Sequence, residues 1–192
     1  MKIGIDIDDV LTNTSDLLME YLEKYEKSGD GIKYSVPVMR GEIPTENIRA
    51  FCNKYMNEVF KNVKLKDNSK KTINMLVNNG HEIFFITSRS NEKYPDSENT
   101  TLKFLKHNAI QYSKIIFNSH DKQNDCVNNK IDIMIDDSIK NCELVNKHGI
   151  KAIVYNSKIN KNINTTIERV NDWLELKKAL NKYAESKITK ND

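Results

Sequence analysis

The first dozen residues, Met-Lys-Ile-Gly-Ile-Asp-Ile-Asp-Asp-Val-Leu-Thr, constrain the fold more than any other stretch of the chain. Ile3 to Ile7 read as a short buried strand, apolar and β-branched apart from Gly4 and Asp6. Three carboxylates, Asp6, Asp8 and Asp9, crowd its C-terminal end. At a separation of about 4 Å each close pair of such charges repels by roughly 4 kcal/mol at an effective dielectric of 20. A cluster of this kind either splays into water as an acidic turn or is assembled around a cation. Asp6 lies inside the apolar run, and a second acid pair, Asp136-Asp137, closes another apolar run, Ile131 to Ile135. In an open parallel sheet ligands bind beyond the carboxyl ends of the strands. Two acidic strand ends in one such sheet therefore point to one metal site.

The rest of the chain supplies that sheet. After Thr12, Asn13 or Thr14 caps a helix to about Lys27, with Leu17, Leu18, Tyr21, Leu22 and Tyr25 at helical spacing. Ser28-Gly29-Asp30-Gly31 breaks it, and Ile32 to Glu42, with Pro37 and Gly41, reads as a loop or irregular strand. Thr45, with Pro44 just before it, caps a second helix whose apolar face is Ile48, Phe51, Cys52, Tyr55, Met56, Val59 and Phe60. A third helix begins near Asp67 or Asn68 and ends at Gly80. Strands and helices then alternate: a strand Glu82 to Thr87, a helix Ser97 to His107, a strand Ile115 to Phe117 and a short helix from Lys122. Next come a strand Ile131 to Ile135, a helix Ile139 to Lys147 and a last strand Lys151 to Tyr155. Asn156 to Thr166 reads as a polar surface loop, and a final helix carries Trp173, Leu174, Leu176 and Leu180.

Such alternation predicts an α/β fold, a parallel sheet covered by helices on both faces. About 80 residues separate Asp6 from Thr87, far more than the dozen or so a crossover requires. The surplus is mostly amphipathic helix and reads as a cap over the site, spanning residues 15–63, with the core formed by residues 1–14 and 64–192.

Composition bounds the function. The 192 residues carry a net charge of +3 from 30 basic and 27 acidic side chains, too balanced to imply polymeric nucleic acid as a partner. No apolar run approaches the ~20 residues that span a bilayer, and Met1-Lys2 leads into a strand rather than a signal peptide. Cys52, Cys126 and Cys142 are odd in number and far apart, as expected of reduced thiols in a cytoplasmic protein. The four histidines, His81, His107, His120 and His148, share no metal-ligand spacing.

Four motifs in order give the site. They are Asp6-Ile7-Asp8-Asp9-Val10-Leu11, the apolar strand ending at Thr87, Lys122, and the apolar strand ending at Asp136-Asp137. The set resembles the haloacid dehalogenase-like (HAD) phosphohydrolase superfamily over the whole core. The Ile-Asp-Ile-Asp-Asp-Val-Leu-Thr wording and small helical insertion are most similar to its 5′(3′)-deoxyribonucleotidases and their bacterial relatives. The resemblance implies a Rossmann-like core and an aspartyl-phosphate mechanism on a small phosphorylated metabolite, a (deoxy)nucleoside monophosphate first among them. It makes Asp6 the nucleophile, Asp8 the acid–base and Lys122 the charge neutraliser. Mg²⁺ would be held by the carboxylates of Asp6 and Asp136 and the backbone carbonyl of Asp8, with Asp137 holding metal-bound water. Thr87 and the amides of Ser88 and Arg89 would hold the phosphate.

The chemistry is consistent with that. A carboxylate with a pKa near 3.9 is ionised at neutral pH, so Asp6 needs no base, and a hard cation offsets its repulsion by the phosphate dianion. An acid at position 8 distinguishes phosphatases and phosphomutases from the superfamily's dehalogenases, which lack it, and from its ion-pumping ATPases, which carry Thr. Asp9 stands where many relatives have Gly, and its side chain is expected to point away from the phosphate. Lys114 is a rival for Lys122, but it precedes a strand. Arg89 reads either as a substrate contact or as a surface residue. Tyr21, Tyr25, Phe51, Tyr55 and Phe60 read as the core of the cap or as a stack for a nucleobase, and Tyr34 and Arg40 as cap-loop residues placed to meet substrate. Asn141 bonds the loop after Asp136 or caps its helix. A phosphatase for a non-nucleotide ester is the alternative. A phosphoacceptor signalling domain, with its phosphorylated Asp on a middle strand and no insertion, fits the order poorly. Homodimerisation is left open.

Overall fold

The computed structural model describes residues 1–27 and 45–188. Six strands among them form one parallel sheet in the order β3-β2-β1-β4-β5-β6. These are β1 (Lys2–Ile5), β2 (Glu82–Ile86), β3 (Lys114–Ile116), β4 (Ile133–Asp136), β5 (Lys151–Tyr155) and β6 (Arg169–Val170). The helices are α1 (Thr14–Lys27), α2 (Thr45–Asn62), α3 (Ser69–Asn78), α4 (Ser97–His107), α5 (Lys122–Asn128), α6 (Ile139–Lys147) and α7 (Trp173–Ile188). The strand order reverses between β1 and β4, and such a switch point opens a crevice beyond the carboxyl ends of the two strands.

Side chains alternate across the sheet, and both faces are buried. Ile3, Ile5, Phe85, Ile133, Ile135 and Ile153 pack on one face with Ile73 and Leu76 of α3, Leu105 of α4, and Trp173, Leu176 and Leu180 of α7. Phe84, Ile86, Met134, Ala152 and Val154 pack on the other with Cys126 of α5 and Cys142 and Val145 of α6. Gly4 faces this second layer, where a Cβ would stand 2.7 Å from the Met134 sulfur, so the central strand has no room for a side chain there. Double-sided burial is why these strands read as nearly unbroken apolar runs.

Helices α1 and α2 form a separate apolar cluster of Tyr21, Leu22, Phe51 and Val59, with Leu18, Cys52 and Tyr55 packed against it. Tyr55 lies edge-on to Tyr21, with centroids 5.6 Å apart, and 5.3 Å from Phe51. These three rings pack against one another within the helix pair. The side chain of Tyr25, and all of Ser28 to Glu42 with Tyr34 and Arg40, lie outside the described residues.

Several boundaries differ from the sequence reading. β1 stops at Ile5 because Ile7 enters a tight turn, its carbonyl accepting from the amides of Leu11 and Thr12 and from the Thr12 hydroxyl. β3 is Lys114–Ile116 rather than 115–117, and β4 begins at Ile133 rather than Ile131. α3 starts at Ser69, after Asn68 in the left-handed region at φ 64°. Gly80, at φ 81°, ends that helix, donating to Val77 while His81 donates to Leu76, the paired bonds of a Schellman cap. β6 was not expected, since two residues are too few to show a period; they are strand only because β5 offers a free edge.

Candidate active site

The ladder between β1 and β4 places the acids. Ile5 stands opposite Ile135, and the Asp6 amide continues the ladder by donating to the Ile135 carbonyl at 2.9 Å. Asp6 and Asp136 are thereby set side by side at the switch point. Lys122, the first residue of α5 and 5% exposed, reaches between them, with Nζ 2.8 Å from a carboxylate oxygen of each. Lys114 instead donates to the Asn129 side chain, just past the end of α5. Asp137 completes the group: Asp6, Asp136 and Asp137 each offer a carboxylate oxygen, all within 4.8 Å of one another.

Asp136 is fully buried and held by three donors: Lys122, the Ser138 amide at 2.8 Å and Asn141 Nδ2 at 3.1 Å. Asn141 therefore bonds this acid, while Ser138 caps α6 by accepting from the Asn141 amide. Asp137 is held through its backbone. Its carbonyl accepts from Asn160 Nδ2 at 2.6 Å, and Asn160 also donates to the Tyr155 carbonyl and accepts from Arg169. Asn160 is 3% exposed, a buried strut within what reads from sequence as a surface loop. Nothing in the sequence singles it out, because its role depends on β6 carrying Arg169 alongside.

Three acids crowd one corner of the fold. Burial raises the Asp6 carboxyl to about 7, with Asp136 and Asp8 adding to the rise and Lys122 opposing it. An ordinary, already ionised carboxylate was expected there. Burial, then Asp6 and Asp136, lift Asp137 to about 8. Burial disfavours the Lys122 ammonium, but Asp136 and Asp6 outweigh it and hold the group protonated. Three carboxylates and one ammonium leave two negative charges when all are ionised. An all-oxygen donor set with that surplus fits a hard divalent cation.

Asp8 stands apart from this group. Burial would raise its carboxyl, but the Arg89 guanidinium and the Thr14 hydroxyl bring it below the usual range. Arg89 Nε donates to Oδ2 at 3.0 Å and Nη2 to Oδ1 at 2.7 Å, while Thr14 Oγ1 donates to Oδ1 at 2.6 Å. Arg89 is not a surface residue: it is 2% exposed, with its guanidinium on the Asp8 carboxylate. Its amide donates to Thr87 Oγ1 at 3.2 Å, so Thr87, Ser88 and Arg89 form one loop after β2, with Thr87 buried and Ser88 exposed. Asp9 sits at φ 61°, the conformation glycine adopts most easily. Its carboxylate accepts from the amide and hydroxyl of Ser15 in the first turn of α1, which turns it away from Asp6. Beneath the loop, the Trp173 indole donates to the Val10 carbonyl at 2.9 Å.

Comparison with solved structures gives the fold. A predicted phosphatase from Clostridium acetobutylicum matches with a TM-score of 0.69 at 14% identity, over 94% of this chain and 98% of that one. A haloacid dehalogenase-like family hydrolase from Streptococcus pneumoniae matches at 0.65 and 11%, over 93% and 97%. A predicted phosphoglycolate phosphatase from Haemophilus somnus matches at 0.66 and 14%, over 93% and 96%. At such identities the likeness carries the fold alone. No curated protein matches the sequence. Residues 1–184 match the family described as 5′ nucleotidase, deoxy (pyrimidine), cytosolic type C. With the acidic switch point, the Lys122 bridge and that match over nearly its whole length, the chain belongs to the cytosolic type C 5′-nucleotidase family of HAD-like phosphohydrolases.

Proposed function

We propose that the chain is a Mg²⁺-dependent phosphomonoesterase that cleaves (deoxy)nucleoside monophosphates through an aspartyl-phosphate on Asp6. The observation that carries the chemistry is the Lys122 ammonium held between Asp6 and Asp136, beside Asp137. The family match supports the nucleotide. Asp6, Asp136 and Asp137 would hold the cation with their carboxylates, and the resemblance adds the Asp8 backbone carbonyl. When bound, the cation offsets the charge that otherwise keeps one anion from attacking another.

Each residue then has a task. The Asp6 carboxylate attacks phosphorus as the ester P–O bond breaks, and Asp8, which must first take up a proton against the pull of Arg89 toward its ionised form, gives that proton to the leaving alkoxide. Asp8 then takes a proton from the water that attacks the aspartyl-phosphate, which releases inorganic phosphate and restores Asp6. Lys122 neutralises charge on the transferring group, and the Thr87 hydroxyl and Ser88 amide hold its oxygens, whereas the Arg89 amide, first expected there as well, is given to Thr87 Oγ1. Residues 15–63 act as a cap over the crevice, excluding water and reading the part of the substrate beyond the phosphate. Among the described residues no helix is long and apolar enough to cross a membrane, and three free thiols fit a cytoplasmic setting.

The test is phosphate release from nucleoside monophosphates, sugar phosphates, phosphoglycolate and p-nitrophenyl phosphate, each with Mg²⁺ and with EDTA. Nucleotides should lead, and EDTA should abolish turnover. Asp6→Asn should be inactive with its fold retained, because a neutral amide is a poor nucleophile. Turnover by that variant within about tenfold of wild type would remove Asp6 from its role, since a lost nucleophile costs far more. A lead by phosphoglycolate would favour the non-nucleotide reading.

A further inference from the structure

We infer that Arg89 is a positioning residue for Asp8, and that helix α2 sets its plane through Phe60. The inference rests on the proposed aspartyl-phosphate chemistry and adds to it a component that the motifs do not contain. Besides its bonds to Asp8, the guanidinium is fixed from two helices, and the backbone that carries it is fixed by its own loop. From α4, Thr101 Oγ1 accepts from Nη1 at 3.0 Å and itself donates to the Ser97 carbonyl at 2.7 Å. From α2, the Phe60 ring lies face-on, its centroid 4.0 Å from the guanidinium carbon. From the β2 loop, the Arg89 carbonyl accepts from Asn118 and its amide donates to Thr87. Phe60 is 2% exposed and stands edge-on to Tyr94, and Asn57 of α2 donates to the Pro95 carbonyl at 2.6 Å, so α2 is seated on the same loop.

A fork held in this way dictates the carboxylate it meets. Two parallel N–H···O bonds bring guanidinium and carboxylate into one plane, which fixes the rotation of the Asp8 carboxyl. Among the described residues, Oδ1 accepts from both Thr14 and Arg89, whereas Oδ2 accepts from Arg89 alone. Proton exchange with the leaving group and with water therefore falls to the remaining lone pair of Oδ2. Lysine in place of Arg89 would keep the charge but lose the plane. The cation–aromatic contact carries the same constraint into α2, so a shift of that helix alters the alignment of Asp8. The opposing idea is that the guanidinium swings to the substrate phosphate, which would require breaking a half-buried bidentate pair.

The two steps of the reaction separate these roles. Nitrophenolate leaves without a proton, so p-nitrophenyl phosphate can load Asp6 even when Asp8 is misaligned, whereas hydrolysis of the aspartyl-phosphate still needs it. On p-nitrophenyl phosphate Arg89→Lys should lower kcat by about 10- to 100-fold and KM along with it, leaving kcat/KM nearly unchanged, part of the 10²–10⁴ that an acid–base group contributes. In stopped flow it should show a burst approaching about one nitrophenolate per active site, the mark of an accumulating covalent intermediate. Phe60→Leu should show the same pattern at about 3- to 10-fold, in line with the modest strength of one cation–aromatic contact. A merely structural role would lower the active fraction and the melting temperature without a burst, and would overturn the inference. So would an Arg89→Lys enzyme whose KM rises tenfold at constant kcat, which would place the guanidinium on phosphate. A Phe60→Leu enzyme identical to wild type would overturn the link to α2. Failure of the catalytic reading itself is read separately, from turnover by Asp6→Asn.

Discussion

Asp137→Asn should stabilise the metal-free protein above neutral pH while weakening its hold on divalent cations. Burial and the neighbouring Asp6 and Asp136 lift the Asp137 carboxyl from 3.8 to about 8. At about 1.4 kcal/mol per pKa unit the rise sets a ceiling of roughly 6 kcal/mol, and water penetration and relaxation bring the working figure to about 2–3 kcal/mol. The sign follows from proton counts. A carboxyl whose folded value is raised binds its proton more tightly in the native state than in the unfolded one. Stability is therefore greatest below the unfolded value, and it is lost as pH rises toward about 8. Asp6, raised to about 7, and Asp9 act in the same direction. Lowered carboxyls such as Asp8 act only in acid, below the window used. Thermal unfolding in EDTA at pH 5.5 and pH 8.5, with and without added Mg²⁺, reads the effect. Wild type in EDTA should melt lower at pH 8.5 than at 5.5, and Mg²⁺ should restore it. The Asn variant should melt about 4–12 °C above wild type in EDTA at pH 8.5, given about 2–4 °C per kcal/mol for a domain of this size. Mg²⁺ should raise its melting temperature by less. If wild type in EDTA is equally stable at both pH values, or if the variant melts lower than wild type at pH 8.5, the crowded-charge account is wrong.

Two further outcomes follow from the struts around the site. Asn160→Ala removes the donor to the Asp137 carbonyl, so the Mg²⁺ concentration giving half-maximal activity should rise about 10- to 100-fold, the usual effect of losing a partner of a metal-bound group. An unchanged requirement in a folded variant would remove Asn160 from the site. Trp173→Phe keeps an aromatic ring but strips the Val10 carbonyl of its donor, at about 1–3 kcal/mol in urea unfolding, and the smaller ring leaves a cavity that adds to the loss. A midpoint equal to wild type would mean that the carbonyl finds another donor.

The sequence by itself determined the parts of this protein written as local pattern. Apolar runs of strand length, each followed by a helical period, are legible because a sheet buried on both faces leaves no polar positions within its strands. The acids at positions 6, 136 and 137 stood out because charge at the end of such a run needs a reason. Which residues those acids meet was decided only by tertiary structure. Asp6 and Asp136 are neighbours because β1 pairs with β4 in a register that no single strand encodes. Lys122 rather than Lys114 reaches them because α5 begins at the switch point, while β3 lies at the sheet edge. Arg89 read as a surface or substrate residue, because its burial depends on Phe60, more than two dozen positions earlier, and Thr101 arriving from other helices. Asn160 was hidden in a polar loop for the same reason. Local sequence records hydrophobic period and charge, which each residue carries alone; a buried polar contact belongs to two residues, and the chain brings them together only when it folds.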